Sequence, residues 1–317
     1  MHTPLPTPAL PQGCTRLSDW GLIRASGLDA ASFLHGQLTQ DMTGLDPQRA
    51  RLAGFCSVKG RLQASFVVWR QGPEEIWLLC SADLLAPTLK RLSMFVMRAK
   101  CKLSDASAEV ALWGLAGDAA ANWLGERAPA TPWSRQAEAD TSALRLPDAV
   151  VDGQPVARYL WAAPAAAAAP ALPALDTDAW QWLEVHSGVA RIVAATAEQF
   201  VPQMVNFELV GGVNFQNGCF PGQEVVARSQ YRGTLKRRLF VADAAAPLAP
   251  GQELFHSADP EQPAGMVVLA GQASGRHAVL VELKLTATGG GQLHAGSADG
   301  PLLTLGSLPY AMPVDGA

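Results

Sequence analysis

The spacing of apolar and polar residues changes several times along the chain, and each change predicts a different element. Residues 19–27 predict a short strand, and residues 29–42 predict an amphipathic helix. Residues 51–81 contain two apolar runs joined by a turn at Lys59-Gly60 and then a third run, which together predict three strands. The first part of the chain is therefore predicted to mix α and β structure.

The pattern continues with a second helix, predicted for residues 81–98, where leucines recur on one face in spite of Pro87. Extended chain is predicted for residues 99–107, and residues 108–126 predict another strand followed by a helix. Three strands, a helix and a strand with short connections are typical of an α+β sandwich of the ferredoxin-like kind.

The second half of the chain has a different organisation. Residues 162–175 are a low-complexity stretch of Ala and Pro, which predicts a loop because the prolines interrupt any helix. A helix is predicted for residues 176–188. After residue 235, short apolar runs separated by Gly, Pro and Asp predict a small closed or half-closed β-barrel.

Composition places the chain among globular proteins. It has 317 residues, of which 49% are hydrophobic and 16% charged, and this length suggests two or more domains. The net charge of −4 disfavours a general role in coating nucleic acid. We find no signal peptide and no run of about eighteen uncharged apolar residues, so we expect a cytoplasmic protein without a membrane partner.

The five cysteines give a first indication of chemistry, and they are Cys14, Cys56, Cys80, Cys101 and Cys219. Their number is odd and no two are spaced as C-x-x-C, which argues against a disulfide framework and against a self-contained zinc or iron–sulfur site. Any metal chemistry would therefore need ligands from elsewhere, such as a partner protein.

Cys219 stands apart from the others because it lies in a turn, residues 217–222, directly before a predicted helix. Proline is favoured at the first helical position, so Pro221 is predicted there, with Gln223 two residues later at a position where it can form a capping box. Gly233 is predicted to end the helix. Cys219 would then lie one residue outside the helix cap.

Two interpretations of Cys219 stay open on this basis. The unpaired N–H groups and the dipole of a helix N-terminus favour a thiolate, typically by about 0.3–1 kcal/mol at a surface site, which would suit a ligand or a reactive thiol. The alternative is a partly buried, unreactive cysteine.

Five basic residues follow the same turn: Arg228, Arg232, Lys236, Arg237 and Arg238. The same stretch contains one acid, Glu224. The basic residues predict either a solvated helix face followed by barrel-strand arginines, or an anion site for the phosphate or carboxylate groups of a ligand. The common phosphate-loop, zinc-protease and serine-hydrolase motifs are absent. His35 and His186 each stand alone on a predicted helix and are interpreted as packing or surface residues.

Residues 191–239 resemble the YgfZ-type folate-binding proteins, bacterial relatives of the mitochondrial iron–sulfur assembly factors and of the glycine-cleavage aminomethyltransferase. The block Asn217–Glu224, "NGCFPGQE", is close to the family's Lys-Gly-Cys-Tyr-x-Gly-Gln-Glu. Residues 33–42 and 55–68 resemble the family's N-terminal blocks, which are shared more widely with folate-dependent aminomethyltransferases. The likeness therefore spans most of residues 16–240, and the barrel matches in pattern only.

The resemblance implies an α+β aminomethyltransferase fold, in which two ferredoxin-like domains and a β-barrel form a ring around a central folate-binding cavity. It implies a discontinuous first domain at residues 1–45 and 106–235, an inserted domain at 46–105, and a barrel at 236–317. The implied cofactor is tetrahydrofolate or a folate derivative, with a transient iron–sulfur cluster as a second candidate.

Two departures from the family pattern matter. Asn217 stands where the family usually has lysine and Phe220 where it has tyrosine, so a cation that would favour a thiolate is missing. Aminomethyltransferases of this fold carry acidic residues shortly after the N-terminal turn, where this chain has Gln63 and Ala64. Neither side chain can act as a general acid or base, so aminomethyl transfer is predicted to be lost.

The first hypothesis on this resemblance is a folate-binding accessory protein for assembly or repair of iron–sulfur clusters in enzymes, including radical enzymes that methylthiolate tRNA. Its partners would be folate and iron–sulfur client or scaffold proteins, with Cys219 as the active thiol. Because one thiolate cannot hold a four-iron cluster, a partner or a second copy must supply other ligands. Gln223, Glu224, Arg228 and Lys59 are the candidates for positioning folate beside Cys219.

Two alternatives stay open. The first is a folate-dependent one-carbon transferase in which Asp41 or Asp105 replaces the missing acid. The second is a tRNA-binding module that uses the basic residues 228–238. The net charge and the lack of interleaved aromatic residues other than Tyr231 argue against the second.

Overall fold

The computed structural model describes residues 10–216, 218–232 and 235–313. Asn217, which replaces the family's lysine, and Gly233, the predicted end of the helix, lie outside these ranges. The described chain forms two antiparallel sheets and a closed barrel, with five α-helices. These helices are α1 (Ala30–His35), α2 (Ala82–Val96), α3 (Gly117–Leu124), α4 (Thr177–His186) and α5 (Gln223–Tyr231).

One sheet, called sheet II here, combines the first strand of the chain with four later ones, in the order β1-β7-β10-β9-β8. Its strands are β1 (Gly13–Arg16), β7 (Val110–Ala116), β8 (Arg135–Glu138), β9 (Thr141–Val151) and β10 (Gln154–Pro164). The loop predicted at residues 162–175 starts three residues too early, because β10 continues to Pro164.

The other sheet, sheet I, is built from the intervening chain in the order β3-β4-β5-β2-β6. Its strands are β2 (Trp20–Ser26), β3 (Ala50–Cys56), β4 (Leu62–Gly72), β5 (Glu75–Ser81) and β6 (Lys102–Asp105). α2 packs on this sheet and buries Leu84, Leu85 and Leu92 against it. The predicted order of strand, strand, strand, helix and strand is thus observed.

The sheets divide the chain differently from the predicted boundary at residues 45 and 46. β2 pairs with β5 from Trp20 opposite Ser81 to Ser26 opposite Glu75, and its other edge pairs with β6. A cut at residue 45 would therefore remove the strand between β5 and β6. Of residues 10–45, which the structure describes, β1 is the part that joins sheet II. The sequence pattern indicates that a strand exists at 19–27 but not which strands it pairs with.

The first helix is also shorter than predicted. α1 ends at His35, and the chain then turns to pair with β3, where Thr39 donates its N–H to the Gly54 carbonyl (2.9 Å). Leu38, which was predicted on the helix, is nevertheless fully buried at a bridge to Phe55. Tertiary pairing therefore replaces the last predicted helical turns.

The two sheets share one continuous apolar core, to which Leu22 and Leu52 of sheet I and Leu112 and Leu144 of sheet II belong. α4 contacts β9 of sheet II on one side and strands of the barrel on the other. No helix in the described ranges is long and apolar enough to span a membrane.

The barrel is closed, with the strand order β11-β14-β13-β12-β15-β16. Its strands are β11 (Arg237–Ala244), β12 (Glu253–His256), β13 (Asp259–Ala273), β14 (Arg276–Lys284), β15 (Leu293–Ala295) and β16 (Leu302–Leu305). Its interior contains residues such as Leu254, Val267 and Val281. The predicted barrel is confirmed.

A segment without strands or α-helices, described at residues 187–216 and 218–222, connects α4 to α5 and contacts both the sheets and the barrel. Asn206, fully buried with φ of 54°, donates from its side-chain amide to the Leu239 carbonyl on β11 (3.0 Å). Near the end of the segment, Asn214 donates its N–H to the Thr39 carbonyl (2.8 Å). These bonds fix where the Cys219 turn emerges.

Candidate functional site

The five thiols differ in accessibility, and Cys219 is the exposed one. Cys14, Cys56 and Cys80 are buried, and Cys101 is intermediate. Burial raises the pKa of both Cys56 and Cys80 to about 12. Because the thiolate is the reactive form, the thiol chemistry open to this protein at its surface belongs to Cys219.

The helix after Cys219 begins later than predicted. α5 starts at Gln223 with Gly222 as its N-cap, so the placement of Pro221 inside the helix is wrong, and no capping box forms around Gln223. Instead, Gln223 donates its N–H to the Phe220 carbonyl (3.2 Å), and Gly222 has φ of 78°. Proline followed by glycine is typical of a type II turn, which requires positive φ at the glycine.

This turn places Cys219 three residues before the N-cap rather than one residue outside it. The effect of a helix dipole falls off within the first turn, so the electrostatic argument for a thiolate is weaker than the sequence predicted. The exposure of Cys219, and not the helix terminus, is what marks it as a candidate.

Two glycines bring Lys59 to the start of α5. A Cβ on Gly222 would lie 2.3 Å from the Ser57 carbonyl oxygen and 2.6 Å from the Gly60 Cα. A Cβ on Gly60, which has φ of 70°, would lie 2.8 Å from the Val225 Cβ. The turn that carries Lys59 therefore packs backbone to backbone against the turn that follows Cys219, as a shared site requires.

The remaining predicted residues lie around this contact. Lys59, Glu224 and Arg228 are exposed, and their side chains make no hydrogen bond or ion pair with the residues described here. Gln223 is half-buried at the first helical position. All four predicted folate-positioning residues therefore lie on the surface near Cys219.

The basic run divides into two groups. Arg237 is paired with the buried Glu282 through both carboxylate oxygens (2.9 and 2.8 Å). Arg238 is buried, pairs with Glu208 and donates to the Gln203 carbonyl (3.0 Å). These two arginines therefore make structural ion pairs with residues of this chain. The other three, Arg228, Arg232 and Lys236, are exposed.

A histidine that the sequence analysis treated as a packing residue lies beside the Cys219 turn. A Cβ on Gly218 would be 3.1 Å from His35 Nε2. On the other side of the ring, His35 Nδ1 lies 3.0 Å from Asp41 Oδ1. No local pattern showed this pair, because it forms only where α1 ends and the chain turns back.

Asp41 is held ionised by its surroundings. Burial by itself raises the pKa of its carboxyl group, but hydrogen bonds from Gly44 and Thr43 and the charge of Arg51 outweigh burial and hold the pKa well below its usual range. The Gly44 N–H lies 3.0 Å and the Thr43 hydroxyl 2.7 Å from Asp41 Oδ1. A fixed carboxylate therefore orients His35 beside the turn.

A separate polar cluster lies between the two sheets, around a cavity of about 40 Å³. Arg191 pairs with both oxygens of the buried Glu184 (3.2 and 3.0 Å), with Asp19 (2.9 Å) and with the Ser81 hydroxyl (2.7 Å). Its guanidinium also lies 4.5 Å from the centre of the Trp20 ring. The donors of Arg191 are therefore largely used within the protein.

Arg158 lines the same cavity but is less well satisfied. Burial lowers its pKa to about 10, and its guanidinium lies 4.8 Å from the centre of the Trp180 ring. Arg158 Nε and Trp20 Nε1 are buried and make no hydrogen bond within the described chain. Buried polar groups are normally paired, so these two N–H groups are available to a polar ligand in the cavity.

The cavity contains no acid from β4, the strand that follows the Lys59 turn. Its polar lining residue on β4 is Ser65, whose hydroxyl accepts the Ile192 N–H (2.9 Å). Gln63 instead donates to Glu198 outside the cavity. None of the four predicted folate-positioning residues lines the cavity, and Arg158, Glu184 and Arg191 were missed because sequence alone does not show that these charges are buried.

Asp41 and Asp105, the two candidates to replace the missing acid of a one-carbon transferase, do not line this cavity. Asp41 is beside the Cys219 turn, and Asp105 ends β6, where its carboxylate accepts the Ser107 N–H (2.8 Å). Within residues 10–216, 218–232 and 235–313, no group of three or more His, Cys, Asp and Glu side chains is arranged to hold a metal ion.

Comparison with known proteins assigns the family. No protein-family model matches the chain. The tRNA-modifying protein YgfZ of Edwardsiella ictaluri is 35% identical over 75% of this chain and 72% of its own length. The chain belongs to the YgfZ family. A second YgfZ, from Sodalis glossinidius, is 30% identical over 98% of this chain and 96% of its own length.

The fold agrees with that of a solved protein. The crystal structure of glycine cleavage system aminomethyltransferase T from Bartonella henselae matches 95% of this chain and 87% of its own, with a TM-score of 0.76. The sequence identity is 15%, so this likeness shows the fold alone. The predicted aminomethyltransferase fold with its C-terminal barrel is confirmed.

Proposed function

We propose that this protein is a folate-binding accessory protein that supports assembly or repair of iron–sulfur clusters in enzymes, including radical enzymes that methylthiolate tRNA. The observation that carries the proposal is that Cys219 is the exposed thiol among five cysteines. Membership of a family whose relatives are named tRNA-modifying proteins supports the connection to tRNA.

In this proposal the cluster is a substrate that passes over the protein. An exposed thiolate can serve as one ligand, while a partner supplies the others. His35, fixed by Asp41 beside Gly218, is placed to exchange a proton with groups that enter the Cys219 turn.

Folate fits the cavity between the sheets by its donor set. Arg158 and Trp20 offer unpaired buried N–H groups, and Glu184 offers a fixed carboxylate to the edge of a pterin ring. The cavity of about 40 Å³ is far smaller than the roughly 300–1,000 Å³ of ordinary ligand sites. Side chains that close it must therefore move before folate enters. A bound reduced folate supplies a carrier for one-carbon units.

The role of Cys219 is tested in cells that lack their own copy of the gene. We expect Cys219→Ser to lower methylthiolated tRNA, measured by mass spectrometry of nucleosides, to the level of the empty vector. Cys101→Ser removes a half-buried thiol and serves as the matched control, with wild-type levels expected. Wild-type levels with Cys219→Ser would refute the proposal.

The folate site is tested by calorimetric titration with tetrahydrofolate and 5-formyltetrahydrofolate. We expect Arg158→Met to weaken binding at least tenfold, about 1.4 kcal/mol. Arg228→Ala tests the placement at the Cys219 turn that the resemblance suggested. If Arg228→Ala weakens folate binding and Arg158→Met does not, the folate site lies at the surface beside the Cys219 turn. If wild type binds neither folate, the protein is not a folate-binding protein.

The two alternatives find less support in the geometry. One-carbon transfer needs an acid or base beside the folate, whereas Glu184 is held by Arg191 and β4 presents Ser65. Steady, tetrahydrofolate-dependent release of ammonia or formaldehyde from an amine would revive it. A tRNA-binding module loses Arg237, which pairs with Glu282 inside the barrel, and Arg238, which pairs with Glu208 of the connecting segment.

A further inference from the structure

An exposed surface surrounds Cys219 and extends along α5. We call it the Cys219 face, and it consists of Val58, Lys59, Cys219, Arg228, Tyr231 and Arg232. Val58 is 76% exposed and Tyr231 is 71% exposed, values that are high for large apolar side chains. Exposed apolar residues rimmed by polar ones are typical of interaction sites.

Rigid contacts hold the two ends of the Cys219 face. At one end, the close approach of Gly60 to Gly222 and Val225 fixes the turn of Val58 and Lys59 against α5. At the other, the Tyr231 ring packs edge-on against Phe215, with the ring centres 5.8 Å apart. α5 has nine residues and is therefore about 13 Å long, so the face is wide enough for several side chains of a partner.

The charge of this surface is opposite to that of the whole chain. Arg228 and Arg232 are one helical turn apart, and Lys59 lies at the start of the same helix, while the one acid of α5 is Glu224. None of the three cations makes an ion pair within the part of the chain that the structure describes. The net charge of the protein is −4, so this local excess of positive charge favours an acidic partner.

We propose that the Cys219 face docks an iron–sulfur partner protein through an acidic contact surface, which brings the partner's cysteine ligands to Cys219. This inference rests on the proposed function, and the partner it requires is a protein with cysteine ligands and an acidic contact surface. A single thiolate needs further ligands, and a protein can supply cysteines whereas RNA cannot. Val58 and Tyr231 give the interface apolar contacts at its two ends, and the cations supply the charge that favours an acidic partner.

The docking surface is tested by reversing its charge. The variant Lys59→Glu/Arg228→Glu/Arg232→Glu is compared with Lys90→Glu/Arg91→Glu/Lys100→Glu, in which three exposed cations of the α2 region undergo the same change. Binding to a purified tRNA-methylthiolating radical enzyme from the same organism, and separately to total tRNA, is measured by biolayer interferometry. Methylthiolated tRNA in cells is measured in parallel.

We expect the first variant to bind the enzyme at least tenfold more weakly and to lower methylthiolated tRNA, with the control variant within twofold of wild type. Val58→Ser/Tyr231→Ser tests the two apolar contacts without a change in charge, and we expect it to bind the enzyme at least threefold more weakly. Thermal unfolding establishes that all variants are folded.

Several results would overturn the inference. The first is an equal loss of enzyme binding in both charge-reversal variants, and the second is no binding of the enzyme by wild type. The third is a loss of tRNA binding with enzyme binding unchanged, which would show that RNA occupies this surface. Normal behaviour of the first variant while Cys219→Ser is inactive would refute the docking surface and leave the proposed function standing. Full activity of Cys219→Ser would instead refute the proposed function.

Discussion

The contact between Gly222 and the Lys59 turn predicts a large effect of Gly222→Ala. Gly222 has φ of 78°, and an alanine in this region costs about 1–2 kcal/mol. The new Cβ would lie 2.3 Å from the Ser57 carbonyl oxygen and 2.6 Å from two backbone atoms of Gly60. Because all these atoms are backbone, crowding adds about 1–3 kcal/mol. The free energy of unfolding should fall by about 2–5 kcal/mol.

Gly275→Ala separates the two causes. Gly275 also has positive φ, 77°, but no atom lies within 4 Å of the position of its Cβ. It therefore carries the conformational cost without the crowding, and the effect on unfolded-chain entropy is the same in both variants. Urea unfolding at pH 7 should show a larger loss for Gly222→Ala, by about 1–3 kcal/mol.

The same variant should disturb the Cys219 turn. If the Lys59 turn moves away to relieve the crowding, the rate of Cys219 alkylation by iodoacetamide should change in Gly222→Ala and stay constant in Gly275→Ala. Equal losses of stability in the two variants, with unchanged alkylation, would refute the argument that close backbone approach holds the site together.

Three further predictions follow from the burial and pairing of single residues. At pH 8 one cysteine per native chain, Cys219, should react rapidly with iodoacetamide. A buried thiol such as Cys56, with a pKa of about 12, is ionised to only about one part in 10⁴ at this pH and should react slowly. Peptide mapping that finds two rapidly alkylated cysteines would contradict this prediction. The pKa of Asp41 is lowered by folding, so its stabilising effect is present above the unfolded value of 3.8 and lost as the pH falls through the folded value. Urea unfolding should therefore separate wild type from Asp41→Asn at pH 7 and less at pH 3, and a constant difference would count against it. Arg191→Met should lower the unfolding free energy by about 3–5 kcal/mol because Glu184 stays buried without its partner, and the double variant with Glu184→Gln should recover part of that loss.

The sequence predicts local elements well where one face of each is buried. The strands of sheet I, α2, α4 and the barrel follow from apolar spacing, since burial on one face imposes that spacing. It does not predict which strands pair, and β2 was accordingly assigned to the wrong side of the boundary at residue 45. α1 was predicted too long because pairing with β3 takes over where the helix ends.

The candidate site shows the same division. Cys219 and Lys59 could be proposed from sequence because each lies in a turn with a recognisable local pattern, and the structure brings these two turns together. Arg158, Glu184 and Arg191 were not found, because a buried charge looks like a surface charge until its partners are known. The turn type at Pro221-Gly222 was missed because proline suits both a helix start and a type II turn.

The backbone contact between Gly60 and Gly222 also orders events as the chain is made. Gly60 leaves the ribosome long before Gly222, so the residues of β3 and β4 are available for pairing before the Cys219 turn has been synthesised. Contacts between segments so distant in sequence require closing a long loop, which slows their formation. The surroundings of Cys219 are therefore completed late in folding, and a chain in which this contact has not closed exposes the thiol without the Lys59 turn packed beside it.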